Sequence, residues 1–383
     1  CQNITIQRSI ISEALGIAGH RKYPEGTNHG YAATIGGDIG SFHHNLLANC
    51  YGRNWSMGGG TDANGYYAGR LDIFNNVVYN WGTRTTDGGA HEVNFVNNYY
   101  KMGVDTRLTT LFTINIEGNL KGTQSAYVSG NIRDNKDGSL STDKLNDTYR
   151  LSIDDGRGSI DWDAFVDAPY FPSYAKIESA QEAYKSVLSD VGANLPLSDD
   201  TDRRVIKETL ERSYTYVGSK SGIRGEIDNE KDAGGYELYP EEMRPADFDT
   251  DLDGLPDWWE EINGSNVNSA AGDYSDSHAD NNNDGFSALE DYLAFMASPN
   301  KILKPGEVTD IDLKAMFAGY TQPPMYTVDD PQSISHISGS KLTIAAPSQI
   351  GIYPITLTVT DGDGASYTRL LNIAVTQKEI LNI

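Results

Sequence analysis

Apolar and polar residues alternate in short runs along the first third of the chain: Ile4-Thr5-Ile6 within ITIQRSIIS, SFHHNLLA from Ser41, Leu71-Asp72-Ile73 within LDIFNNVVYNW, and NFVNNYY from Asn94. A period of two puts successive side chains on opposite faces of a strand. Each run carries a polar residue in the same slot: Ser9, Asn45, Asn76, Asn98 and, in AYVSGNIRDN, Asn131, at intervals of 36, 31, 22 and 33 residues. Segments too short to bury an apolar face alone, recurring every few tens of residues, mark a stacked solenoid. Asn over Asn can also run an amide ladder along such a stack. The pattern predicts a right-handed parallel β-helix over residues 1–136, in an all-β dominated chain. Its unequal intervals give loops of different length on one side, where a binding cleft would form. The chain opens on a strand pattern without a cap, so an N-terminal β-helix segment is expected upstream.

The texture then changes. Residues 137–240 carry two helical patterns and read as an extension packing back on the solenoid. Ser179 and Glu182 form a capping box, Ala180, Ala183, Tyr184, Val187, Leu188 and Val191 share one face, and Gly192 ends the pattern. A second helix is predicted over Thr201–Arg212. Residues 241–300 hold two loops of EF-hand type. In DTDLDGLPDWWE, Asp249, Asp251, Asp253, Asp257 and Glu260 take positions 1, 3, 5, 9 and 12, with Leu255 offering its carbonyl at position 7. In DNNNDGFSALED, Asp280, Asn282, Asp284 and Asp291 take positions 1, 3, 5 and 12, with Phe286 at position 7. Gly254 and Gly285 make the sharp turn, and alternate oxygens can wrap one Ca2+. Asp at position 12 of the second loop is short, so that site is expected either to be weaker or to be completed by Glu290. Residues 301–383 read as an immunoglobulin-like β-sandwich, with strand runs Ile350–Val359 and Tyr367–Val375 flanking a DGDG turn.

Charge narrows the range of partners. Against 30 Lys+Arg stand 54 Asp+Glu, a net charge of −24, which argues against nucleic acid. A polyanionic partner would be repelled as well unless cations intervene. The two cysteines, Cys1 and Cys50, imply buried thiols rather than a disulfide framework. No apolar run reaches membrane-spanning length. His43 and His44 are adjacent on a predicted strand and therefore expected to face opposite sides. Asp154-Asp155 is the adjacent acidic pair that a β-helical glycoside hydrolase reading would have to use.

Several phrases together resemble pectate lyases of polysaccharide lyase family 1, of the secreted bacterial sort: CQNITIQRSIISEAL, HGYAATIGG, SFHHNLLANCYGRN, LDIFNNVVYNWG and YVSGNI, in that order. SAQEAYKSVLSDVGANLP and GIRGEID are similar to the extension such lyases carry, and FDTDLDGLPDWWE to their appended calcium loop. The resemblance implies calcium-assisted β-elimination from polygalacturonate, an acidic polysaccharide, by a secreted or cell-surface/periplasmic enzyme. Cations set against the substrate carboxylate would also offset the repulsion from an acidic chain.

By the same resemblance, Arg53 in GRN matches the catalytic arginine, as base or as stabiliser of the carbanion. Lys22 in HRKYPEG matches a substrate-binding lysine. His20 and His29 flank that loop as sugar contacts, Trp55 and Tyr51 are expected to stack on a sugar ring, and His44 or His43 to orient Arg53. Glu13 is an acidic candidate near the cleft. The sequence departs from the family at RNWSMGGG, where Trp55 stands in place of proline and no second basic residue follows at once. The family's catalytic calcium ligands lie on coils before the start of this chain. The alternatives are a non-catalytic glycan-binding β-helix, a pectin lyase and a β-helical glycoside hydrolase.

Overall fold

A computed structural model describes all residues except 1, 18, 20, 117, 119, 155, 196–197, 239–243, 246 and 381–383. Cys1, His20 and Asp155 therefore lie outside the described residues. Strands outweigh helices, and the chain forms two compact units. The first comprises Cys1–Ala193 and Asp199–Glu237, the second Asn194–Ser198 and Leu238–Ile383.

The first unit is built on three parallel sheets, consistent with a β-helix-like fold. The first sheet stacks Gln2–Gln7, Asp38–His43, Arg70–Phe74, Glu92–Val96, Ser125–Ser129 and Phe165–Val166. The second stacks Ile10–Ser12, Leu46–Ala48, Val77–Tyr79, Tyr99–Lys101 and Ile132–Asp134, closed by an antiparallel Leu140–Ser141. The third stacks Thr34–Ile35, Ser56–Gly58, Thr86–Gly89, Phe112–Ile116 and Tyr149–Ile153. Each coil thus visits the sheets in the same order, one coil lying about 4.8 Å above the last.

Inside the coils, like stands over like. Phe42 pairs with Ile73 and Ile73 with Phe95 in the first sheet, and Leu47 with Val78 and Val78 with Tyr100 in the second, all in one core. The second sheet is apolar on its outer face too, because a helix covers it. Leu46, Val77 and Tyr99 pack there against Ala180, Val187, Leu188 and Val191. The helix spans Ala180–Ser189 and carries the expected Ser179–Glu182 capping box. A second helix, Asp200–Glu211, follows.

The polar slot is an unbroken ladder. Asn45 Nδ2 donates to Asn76 Oδ1 at 3.0 Å, Asn76 Nδ2 to Asn98 Oδ1 at 3.0 Å, and Asn98 Nδ2 to Asn131 Oδ1 at 2.9 Å. Ser9 ends it by donating its amide N–H to Asn45 Oδ1. Asn76 is buried, and its amide also donates to the carbonyls of Phe42 and Phe74. Asn76→Ala strands these buried groups, so a loss of about 3 kcal/mol or more is expected by urea denaturation. Ser9→Ala leaves the ladder's backbone donor in place and should stay within about 0.5 kcal/mol.

The second unit contains two sheets over a shared core of Leu342, Ile344, Ile355, Leu357, Leu371 and Ile373. One sheet orders Asn300–Leu303, Ser366–Val375, Gly351–Thr360 and Met325–Asp329; the other orders Val308–Asp312, Lys341–Ala345 and Ser335–Ser338. The expected hairpin around DGDG is present as an antiparallel pair from Gly351↔Val375 to Thr360↔Ser366. Helices Asp257–Asn263 and Ala288–Ala297 bring Trp258, Trp259, Tyr292 and Phe295 into one aromatic cluster. Among the described residues, no helix is long and apolar enough to cross a membrane.

Candidate functional site

The chain passes from the second sheet to the third through turns that stack on one another. Tyr51-Gly52-Arg53 of one coil lies between the Gly30–Ala33 segment of the coil before and the Gly82–Thr85 segment of the coil after. Gly52 N donates to Gly30 O, Ala32 N to Gly52 O and Ala33 N to Arg53 O on one side. Gly82 N donates to Tyr51 O and Asn54 N to Thr85 O on the other. A Cβ on Gly52 would stand 2.7 Å from the Arg84 Cβ. Glycine is therefore what lets Arg84 approach.

Arg53 has φ +55, the left-handed region that a side chain with a Cβ adopts at a cost of about 1 kcal/mol or more. Asn49 and Asn80, directly after the second-sheet strands, also have positive φ but are of the type that tolerates it. Arg53 is half-buried, and its guanidinium lies 4.6 Å from the centroid of the Tyr31 ring. Nη1 donates to Thr34 Oγ1 at 3.3 Å, and the buried Nε has no hydrogen-bond partner. Among the described residues, no carboxylate pairs with Arg53.

Arg84, from the next coil, approaches the same ring at 5.3 Å. It is held by a two-point ion pair to Asp87, Nε to Oδ2 at 2.7 Å and Nη2 to Oδ1 at 2.8 Å. That pairing, with a smaller contribution from the Tyr31 hydroxyl, raises the Arg84 pKa and keeps the guanidinium charged. Aromatic rings continue outward from Tyr31: Tyr51 at 6.5 Å on one side, His29 at 4.5 Å on the other, and Tyr23 at 5.1 Å from His29. Lys22 precedes Tyr23 in the exposed loop at the outer end of this row. The turn thus gathers Arg53, Arg84, Tyr31, Tyr51 and His29, an arrangement suited to holding an anionic, ring-shaped ligand.

Other expected members stand elsewhere. Trp55 is fully buried in the solenoid core beside Phe42, so it cannot stack on a sugar ring: as the lead-in to a third-sheet strand it points inward. His44 is not beside Arg53. It occupies the turn between the first and second sheets, with the strand Leu46–Ala48 separating the two. There His43 and His44 share an Nδ1–Nδ1 hydrogen bond of 2.9 Å, and His44 Nε2 lies 3.3 Å from Glu178 Oε2. The expectation of opposite faces fails because His44 has φ +55 and has left the strand. Burial pushes the His43 pKa down to about 4, so that ring is neutral, and the contact of His44 with Glu178 fastens the extension to this turn. Glu13 is committed to Arg204, at 2.7 and 2.8 Å to its two oxygens.

The segment Arg224–Asp228 crosses the stacked turns, a feature that no periodicity in the sequence signalled. Arg224 pairs with Asp105, Asn80 Nδ2 donates to Arg224 O, and Gly16 N donates to Ile227 O. Gly225, at φ +88, fits where a Cβ would meet Asn80 Nδ2 at 2.3 Å and Asn49 Oδ1 at 2.8 Å. Glu226 is 1% exposed, and neither carboxylate oxygen has a hydrogen-bond partner. Burial, followed by the charges of Asp105 and Asp228, pushes its pKa up to about 8. The folded state therefore binds the proton more tightly than the unfolded one, and this stability is lost as pH rises from the usual glutamate range through about 8. Glu226→Gln should raise Tm at about pH 9 and leave it nearly unchanged at about pH 5, as read by thermal melts.

In the second unit, Asp249, Asp251 and Asp253 bring carboxylate oxygens within 4.8 Å of one another. Glu260 is fully buried, with neither oxygen hydrogen-bonded, and Asp249 Oδ1, Asp251 Oδ1 and Asp253 Oδ2 are likewise buried and unpaired. Burial and the neighbouring carboxylates, Asp251 first, push the Glu260 pKa up to about 8. Asp257 is turned aside, accepting from Thr250 N and Oγ1 and lying 3.3 Å from Lys378 Nζ. The second loop repeats the backbone: Leu252 and Asn283 have φ +62 and +59, and Gly254 and Gly285 have φ +99 and +95. Its acidic groups are more exposed, and Asn282 Nδ2 donates to Asp284 Oδ2. Glu290 does not complete that loop; its carboxylate is spent on the Ser287 capping box.

Comparison with known proteins finds similarity to fungal proteins named probable pectate lyase C. That of Aspergillus oryzae is 30% identical over 278 residues, covering 70% of this chain and 55% of the relative. That of Emericella nidulans is 31% identical over 296 residues, covering 76% and 58%. That of Aspergillus terreus is 29% identical over 278 residues, covering 70% and 55%. These relatives support a pectate lyase-like family. No protein-family model matches the chain. The chain spans about half the length of the curated relatives it matches.

Proposed function

We propose that this chain carries the arginine side of a polysaccharide lyase site that cleaves polygalacturonate by β-elimination, in a secreted protein. The observation that carries the reading is Arg53: a half-buried guanidinium at positive φ, laid over Tyr31 and free of any carboxylate partner among the described residues. In a chain of net charge −24, such a cation is suited to a carboxylate that comes from outside. Arg53 either takes the C5 proton of the uronate or stays charged and stabilises the carbanion. Tyr51 and His29 offer faces to the sugar ring, and Lys22 a charge at the outer rim.

Calcium bound to a substrate carboxylate supplies further neutralisation of the carbanion in such chemistry. The residues around Arg53 do not fit that ion, since Glu13 and Asp87 are each spent on an arginine. Its ligands are proposed to come from coils upstream. In the second unit, the loops 249–260 and 280–291 are proposed as EF-hand-like calcium sites, and the two sheets that follow as an immunoglobulin-like sandwich.

The test is ultraviolet detection of unsaturated uronide from polygalacturonate by the full-length protein, with calcium and with a chelator. Calcium-dependent product supports the lyase. Tight binding of polygalacturonate without product would leave a glycan-binding β-helix instead.

A further inference from the structure

We infer that Tyr31 is the proton donor to the departing glycosidic oxygen, an assignment that rests on the lyase reading above. Elimination leaves O4 of the uronate as an alkoxide unless a proton reaches it, and a positioned acid contributes about 10²–10⁴-fold to such a step. Tyr31 is the group at which the turn converges. Its backbone is pinned by a bridge to Gly52, with Ala32 N donating to Gly52 O at 2.9 Å. Arg53 lies 4.6 Å from its ring centroid and Arg84 5.3 Å, so the reacting arginine and the phenol are held together.

Arg84 is what makes the phenol more than a stacking platform. Its guanidinium carbon lies 5.3 Å from the centroid of the Tyr31 ring while Asp87 grips the guanidinium at two points. A phenolate formed at Tyr31 would therefore face a fixed positive charge. Arg84 is a positioning residue here, and Gly52 is the residue whose missing side chain admits it.

The C5–H bond breaks, its proton passing to the base and its electron pair becoming the C4=C5 double bond. The C4–O4 bond breaks with its pair on O4, which forms O4–H with the Tyr31 proton. The phenolate then recovers a proton from water, and the base returns one.

The experiment is Tyr31→Phe in the full-length protein, which keeps the ring and its contacts with both arginines. Steady-state kinetics are measured on polygalacturonate and on a uronide whose C4 substituent is nitrophenoxide, a leaving group that needs no proton. The expected result is a fall in kcat of about 10²–10³-fold on polygalacturonate, with KM within about twofold, and less than about 10-fold on the activated uronide. Equal losses on the two substrates, or no loss, would overturn the inference while the lyase stands. A wild-type protein that makes no unsaturated product removes the reading and the inference together. Should Tyr31→Phe lower Tm by more than a few degrees, Arg84→Gln gives the same comparison: it must slow the natural substrate more than the activated one.

Discussion

Arg53→Ala is expected to abolish unsaturated-product formation from polygalacturonate, by about 10³-fold or more in kcat/KM, while leaving the fold intact. Removing one preorganised donor from developing negative charge costs about 10²–10³-fold. Arg53 would bear more than that, because the other guanidinium at the turn, Arg84, is already paired with Asp87. The structural cost is small: one 3.3 Å hydrogen bond to Thr34 and the contact with the Tyr31 ring. A comparison of Ala with Gly at this position separates strain from chemistry. At φ +55 the Gly variant should be about 1 kcal/mol more stable than the Ala variant, with both inactive. In a unit of this size that is about 2–4 °C in Tm. Arg53→Lys then separates the two roles: a carbanion stabiliser keeps part of its activity as lysine, whereas a base of altered proton affinity shifts the pH profile. Retention of more than a tenth of the activity in Arg53→Ala would sink the assignment of Arg53.

The solenoid was legible because its signal is repeated and local. One polar residue per coil, in register, marked the ladder from Ser9 to Asn131, and every one of those residues takes part in it. The helices of the extension were legible for a similar reason, as the Ser179 box and its apolar stripe sit within a dozen residues. What lay hidden was set by turns. His43 and His44 read as alternating strand residues, but a single positive φ at His44 brings their rings together and aims the pair at Glu178. Trp55 read as a neighbour of Arg53 able to face the same way; one step into the third sheet turned it inward. Tyr31 and Arg84 were missed altogether, because they meet Arg53 only through the stacking of three successive coils and no spacing within one coil encodes that meeting. The crossing of Arg224–Asp228 over the turns depends on Gly225 fitting against Asn49 and Asn80, a contact between residues far apart in sequence.

Withdrawal of calcium is expected to loosen the aromatic cluster of the second unit, and Glu260→Gln to imitate the effect. Four carboxylates meet at the first loop with buried oxygens that hydrogen-bond to nothing, and burial together with mutual repulsion drives the Glu260 pKa up to about 8. An ion of charge two relieves all of these at once, so binding is coupled to folding. At a free calcium concentration of about 100 times Kd the gain is about 2.7 kcal/mol. Trp258 and Trp259 lie in the helix that starts within this loop, two of the five tryptophans of the chain, so fluorescence reports on it directly. Chelation should shift that emission to the red and lower Tm, and calcium should reverse both. Because the proton on Glu260 must leave before it can coordinate, apparent affinity should rise with pH up to about 8 and level off above it. The second loop gives the internal contrast: its oxygens are exposed and largely hydrogen-bonded, and Glu290 is withheld by its cap. Asp291→Asn should therefore move Tm far less than Glu260→Gln, which should weaken calcium binding by about 10²-fold. Emission and Tm indifferent to chelator would show that the buried carboxylates of the first loop are protonated in place, with no ion required.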